Sequence, residues 1–118
     1  MSYSAYLPHI NVTEGKTRVM GNVAIYAKLL TKFNGRQMVN NLLESILEGD
    51  NKKIIEHSHA LRGVASNLSF PTLHEVVDEI ESLAKRDMDS THLITRLGKA
   101  IDALEKVIEA FLAESGTK

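Results

Sequence analysis

The chain has 118 residues, 43% of them hydrophobic and 25% charged, with a formal net charge of −1. That length suits one compact domain with one core over residues 1–118, and leaves no room for a second. Charges of both signs are spread along the chain, which argues against a nucleic-acid footprint of clustered Lys and Arg. The absence of cysteine excludes disulfides and thiolate metal sites. No apolar run approaches the ~20 residues that span a bilayer. The opening "MSYSAYLPHI" lacks the charged and apolar regions of a signal peptide. A cytoplasmic domain without membrane contact is the expectation.

Residues 1–10 read as an irregular lead-in. "NVTEGKTRVMGN" opens with Asn11 and Glu14 at capping-box spacing and closes at Gly21, which predicts a short first helix. Asn22 is placed to cap a second, "VAIYAKLLTKF", which stops at Asn34 and Gly35. "RQMVNNLLESILE" carries Met38, Leu42, Leu43, Ile46 and Leu47 at the spacing of one buried helical face. Gly49 ends that helix, and Asp50 caps the next, over 51–68. Ser69, Pro71 and a capping box from Thr72 to Glu75 start another over 71–86. Asp89 or Ser90 caps the last, which runs to Glu114. Val and Ile never alternate with polar residues over a strand's length. The prediction is an all-α protein. Four long helices joined by short turns form an up-down bundle, with the two N-terminal segments packed on one end or side.

The stretch "HSHALRGVASNLSF" holds two histidines that a helix separates. With His59 at zero and ~100° per residue, Ile54, Leu61, Val64, Ala65 and Leu68 fall between about 140° and 240°. His57 lies at about 160°, within that apolar stripe, and His59 points away from it. Histidines about 200° apart on one regular helix cannot share a metal ion. His57 reads as a partly buried packing residue with a local hydrogen bond. His9, His74 and His92 could add metal ligands only if the fold happened to gather them. His59 has Arg62 at i+3 and Gly63 at i+4, the two positions whose side chains lean over it. Arg62 brings a cation beside the imidazole, and Gly63 leaves the ring uncovered. Gly within a helix costs about 1 kcal/mol relative to Ala, so either close helix packing or room for a ligand must offset it. Ser66, at i+7, is small and on the same face. An anion attached to His59 would meet Arg62 within hydrogen-bonding range. The competing reading is an ordinary solvated His-Arg face with a tolerated Gly. Ile55, one turn before His59, lies at about 320°, outside the apolar stripe. Either the N-terminal helices cover it through Tyr26, Leu29 and Leu30, or it belongs to an exposed patch for a partner.

"HALRGVASNLS" resembles the signature of histidine phosphotransfer (HPt) domains, H-x-L-K-G followed by a small residue, an Asn and a Gly. His59 falls on the phosphorylated histidine. Leu61 and Gly63 match, and Arg62 stands where Lys is usual. Ser66 and Asn67 match the small-then-Asn places. "LPHINVTEGKTRVMGNVAIYAKLLTKF" is similar to the opening of HPt domains in hybrid sensor kinases. Asp50, Pro71 and the pair Ile80-Glu81 also fall on familiar places, so the resemblance runs from Leu7 to at least Glu81. Ser69 departs from a usual Gly; as a cap for the next helix it predicts a small local change. Arg for Lys keeps the charge but alters its geometry, which bears on transfer rate more than on activity.

The resemblance implies a phosphocarrier, not an enzyme. A receiver-domain phospho-aspartate donates its phosphoryl group to His59, and a second receiver takes it on. Arg62, Gly63 and Ser66 would surround the site, with Ile55 as a docking residue. The expected partners are response-regulator receivers and a sensor kinase, and the domain itself would be monomeric. The receiver would supply Mg²⁺, with no cofactor or metal on this chain. In keeping with that, the sequence has no Walker A loop, no glycine-rich nucleotide lid and no acidic metal cluster. Two alternatives are a chemotaxis-type phosphoacceptor domain charged directly by a kinase domain, and a helical binding module that is never phosphorylated.

Overall fold

The computed structural model describes residues 3–115. Six α-helices follow a 3₁₀ turn at Ser4–Tyr6: α1 Val12–Thr17, α2 Val23–Thr31, α3 Gly35–Glu48, α4 Asn51–Leu68, α5 Pro71–Lys85 and α6 Ile94–Glu114. No strand occurs among the described residues. Helices α3 to α6 form a ring in which α4 packs most extensively on α5, and α6 closes against α3. Two-residue turns join α3 to α4 and α4 to α5, which forces antiparallel neighbours. Cross-links between opposite helix ends agree. Asn51, at the start of α4, donates to the Ala84 carbonyl near the end of α5. Arg36, at the start of α3, pairs with Asp102 and Glu105 in α6.

The core is one cluster. Leu42, Leu61, Leu73, Ile80, Leu97, Ile101 and Leu104 are each almost fully buried within it. Burying such a side chain stabilises the fold by about 1.5–3 kcal/mol relative to leaving it in water. In α3 the inner face is Val39, Leu42 and Ile46, with Met38 and Leu43 half-buried beside it. Leu47, predicted to be inside, is 73% exposed. It lies about 100° around the helix from Ile46, and the packed face centres on Val39 and Leu42.

The N-terminal segment closes the end of the bundle where α4 and α6 finish. Tyr3, Tyr6 and Tyr26 meet the Phe111 ring edge to face, with centroids 5.3–6.4 Å apart. The Tyr26 hydroxyl donates to the Leu68 carbonyl at the end of α4, 2.5 Å away. Gly15 lies so close to the Tyr26 ring that a Cβ there would overlap it. Ile10 and Val12 are fully buried, so the lead-in is irregular in backbone yet part of the core.

Several predicted helix ends move. Asn11, Asn22 and Asp50 cap α1, α2 and α4 through their side-chain oxygens, as expected. Helix α1 stops at Thr17, however, because Met20 and Gly21 both take left-handed conformations, and the Gly21 N–H returns to the Lys16 carbonyl at 2.7 Å. The Thr72–Glu75 capping box does not form. Phe70 is the N-cap of α5, Pro71 opens the helix, and the Thr72 hydroxyl donates to the Pro8 carbonyl instead. Neither Asp89 nor Ser90 caps α6, which enters through a 3₁₀ turn at Thr91–Leu93. Ser69 does not cap the next helix either. It ends α4 in the left-handed region at φ 61°, and the Phe70 N–H bonds the Ala65 carbonyl at 2.8 Å. That conformation favours glycine, which accounts for the Gly usual there. Here the Ser69 hydroxyl donates to Glu14 and its carbonyl accepts from the Asn11 N–H, tying α1 to the end of α4.

Candidate functional site

Helix α4 buries Ile54, Ser58, Leu61 and Ala65 on one face. Ser58, unremarked in the sequence, is fully buried and turns its hydroxyl back to the Ile54 carbonyl at 2.6 Å. His57 is half-buried, as predicted, but its ring makes no hydrogen bond among the described residues. His59 points outward with its side chain 67% exposed. The two rings therefore diverge, and no group of three His, Asp or Glu placed to hold a metal occurs among the described residues.

His59 leans toward α5, where its Nδ1 lies 2.9 Å from Glu81 Oε2. Glu81 is 2% exposed, an unusual position for a carboxylate. Three groups surround it. Besides His59, Arg62 places Nε 2.6 Å from Oε1, and Lys85 places Nζ 3.3 Å from Oε2. The Arg62 Nε–H is not aimed squarely at its oxygen, so this contact is an ion pair more than a hydrogen bond. Burial pushes the Glu81 pKa up. The hydrogen bonds from His59 and Lys85, with the Arg62 and Lys85 charges, outweigh burial and hold it below its usual value. Glu81 is thus ionised at neutral pH.

An ionised carboxylate only accepts, so the His59 hydrogen facing it must sit on Nδ1. In the neutral ring, Nε2 then carries the free lone pair and faces solvent. Arg62 Nη2 lies 3.3 Å from Nδ1. Both atoms are donors in that tautomer, so this is a contact and not a hydrogen bond. Arg62 thus lies beside the imidazole, as the sequence suggested, and is turned toward α5, with Nη1 3.5 Å from Asp78 Oδ1.

Gly63 is exposed, and a Cβ built on it would meet nothing within 4 Å. Close packing therefore does not explain this glycine, which leaves the open space beside His59 as its structural consequence. Ser66 is exposed farther along α4, a rise of about 10 Å from His59, and touches neither the ring nor Arg62. Ile55 falls between its two expected roles, since it is half-buried against the core. Tyr26 does not cover it: the Tyr26 hydroxyl reaches Leu68, about 20 Å farther along α4. Glu81, Lys85 and Asp78 are the site residues that reading α4 alone could not supply. The Ile80-Glu81 pair was visible as a familiar motif, without a role.

His59, the reactive-group candidate, is carried on the outer face of a bundle helix with its side chain largely exposed. Residues 34–114, the four bundle helices, match the family model of the Hpt domain, and the chain belongs to that family. The match extends beyond Glu81 to the end of α6 but starts at Asn34, so the opening 7–33, likened above to hybrid-kinase openings, lies outside it. Neither a curated protein nor a solved structure matches the chain significantly. Hpt domains are phosphocarriers in histidine phosphotransfer and work with receiver domains and kinases. No helix among the described residues is long and apolar enough to cross a membrane.

Proposed function

We propose that the chain is a phosphorelay intermediate that accepts a phosphoryl group on His59 from a receiver phospho-aspartate and passes it to another receiver. The observation that supports this best is the His59–Glu81 bond, which puts the hydrogen of the neutral ring on Nδ1 and leaves the Nε2 lone pair on the exposed side in a fixed orientation. In the accepting step, the Nε2 lone pair forms a bond to phosphorus as the P–O bond of the acyl phosphate breaks. The bonding pair leaves with the receiver's carboxylate. The ring gains positive charge, which the Glu81 carboxylate balances through Nδ1–H. The return step runs the same bonds in reverse on a second receiver. The receivers bring Mg²⁺ and the groups around the aspartate, while this chain contributes a pre-oriented nucleophile, adjacent cations and a docking face. Gly63 keeps the approach to Nε2 clear. The exposed part of Ile55, one turn before His59, forms an apolar contact for the receiver, and the domain acts as a cytoplasmic monomer.

The test is transfer from a phosphorylated receiver domain to the intact chain and to His59→Gln and His57→Gln variants. His57→Gln retains labelling and His59→Gln loses it. Labelling that survives in His59→Gln but disappears in a folded His57→Gln overturns the assignment.

A further inference from the structure

The Arg62 guanidinium is already engaged in this structure. Its Nε lies against buried Glu81 and its Nη1 against Asp78, while Nη2 is the end next to the imidazole. The two carboxylates differ in kind. Glu81 has a 3% exposed side chain and also holds His59, so it orients the ring. Asp78 sits one turn earlier on α5, is 56% exposed, and its only side-chain contact among the described residues is Arg62. It reaches neither His59 nor the core. Nothing in the packing of α5 requires an anion at this position, yet one draws the outer end of Arg62 away from Nε2.

We infer that Asp78 is a positioning residue that competes with an incoming phosphoryl group for Arg62 and so restrains charging of His59. This rests on the reading of His59 as the phosphoacceptor. A phosphoryl group at Nε2 carries oxygens that pair with a guanidinium more strongly than one exposed carboxylate at 3.5 Å does. Arg62 can pivot toward it while Nε stays near Glu81. Whatever holds Arg62 toward α5 must first be released, and that release is part of the barrier. Any interaction gained by the phosphoryl group, relative to free protein and free donor, raises the second-order rate of charging. Removing Asp78 frees the cation without disturbing the ring.

The experiment uses the full chain and phosphoramidate, a small donor that needs no cognate receiver. Its P–N bond breaks as Nε2–P forms, and ammonia leaves. Phosphohistidine formation is followed by ³¹P NMR in the unsubstituted chain, Asp78→Asn, Asp78→Glu, Arg62→Ala and the double variant Asp78→Asn/Arg62→Ala. Asp78→Asn charges about two- to fivefold faster, the range spanned by an exposed ion pair. Asp78→Glu stays near the unsubstituted rate, and the gain disappears when residue 62 is Ala. An unchanged or slower rate in Asp78→Asn overturns the inference. So does an equal gain in the Arg62→Ala background, since Asp78 would then act by repelling the donor directly. No phosphohistidine on His59 in the unsubstituted chain overturns the phosphoacceptor reading, and the inference with it, so the two failures are distinguishable.

Discussion

Of the arginine clusters that tie neighbouring helices together, those of Arg36 and Arg62 differ in one respect. Arg36 joins α3 to α6 through Asp102 and Glu105, and all three side chains are 44–63% exposed. Arg62 joins α4 to α5 through Glu81 and Asp78, and Glu81 is buried. Exposed pairs are screened by water and contribute little. A buried carboxylate carries a desolvation cost that must be met by partners, so Glu81 is tied to every cation around it. The first cluster is a surface brace that the fold can lose. The second is a fixed charge pattern that also sets the tautomer of an exposed histidine.

The comparison breaks most visibly at Gly63. Gly63→Leu places a side chain over His59 while raising helix propensity by up to about 1 kcal/mol. Charging with phosphoramidate or a receiver falls by about a hundredfold or more, from the shift of an ångström or so that misplaces reacting atoms, while circular dichroism shows full helicity. A loss of helicity would return Gly63 to the role of a packing residue.

Glu81→Ala comes next. It leaves Arg62 and Lys85 facing an empty site and frees His59 to rotate and change tautomer. Charging slows by about ten- to a hundredfold, the usual effect of removing the carboxylate behind a working imidazole. Stability drops by about 1–3 kcal/mol, below the range for fully buried pairs because Lys85 and Arg62 still reach water. Denaturant titration and charging kinetics on the same sample measure both. Equal charging with lowered stability would make Glu81 purely structural.

The pH dependence sharpens the contrast further. The Glu81 pKa is lower in the folded chain than in the unfolded one, so the folded state binds fewer protons there. Its stabilisation is complete above the unfolded carboxylate value, about 4.3, and is lost as pH falls through the lower folded value. Unfolding free energy therefore declines below about pH 4–5, and the decline is shallower in Glu81→Gln. An identical acid slope in both chains would show that the carboxylate is not held ionised by its partners.

The smallest effect belongs to the exposed brace. Arg36→Ala lowers stability by less than about 1 kcal/mol and shrinks further with added salt. Its charging rate is unchanged. A larger loss would mean that the exposed cluster is coupled to the packing of α3 on α6.

Most of α4 was legible because its cues are local. The Asp50 cap, the 3.6-residue spacing of Ile54, Leu61, Ala65 and Leu68, and the outward angle of His59 all follow from one helix considered by itself. Gly63 was half legible: its cost was evident, but choosing between packing and open space required knowing what stands opposite. The start of α5 at Pro71 was legible, but its capping was misread because Ser, Thr and Glu at capping spacing compete with Pro71, and the Thr72 hydroxyl found Pro8 from another part of the chain. Leu47 was misplaced because its neighbours determine which side of α3 is inside.

By itself the sequence determined an all-α chain, the α4 boundaries, and an accessible histidine flanked by Arg62 and Gly63. Those properties depend on backbone geometry and on residues three or four places apart, which any helix brings together. Only the tertiary structure decided that Glu81, twenty-two positions from His59 along the chain, holds the inner ring nitrogen, and that Arg62 turns to Asp78 and not to the open nitrogen. A hydrogen-bond partner on a neighbouring helix is set by the register and rotation of the packed pair. Those depend on how the whole α4–α5 interface fills space, not on any local spacing.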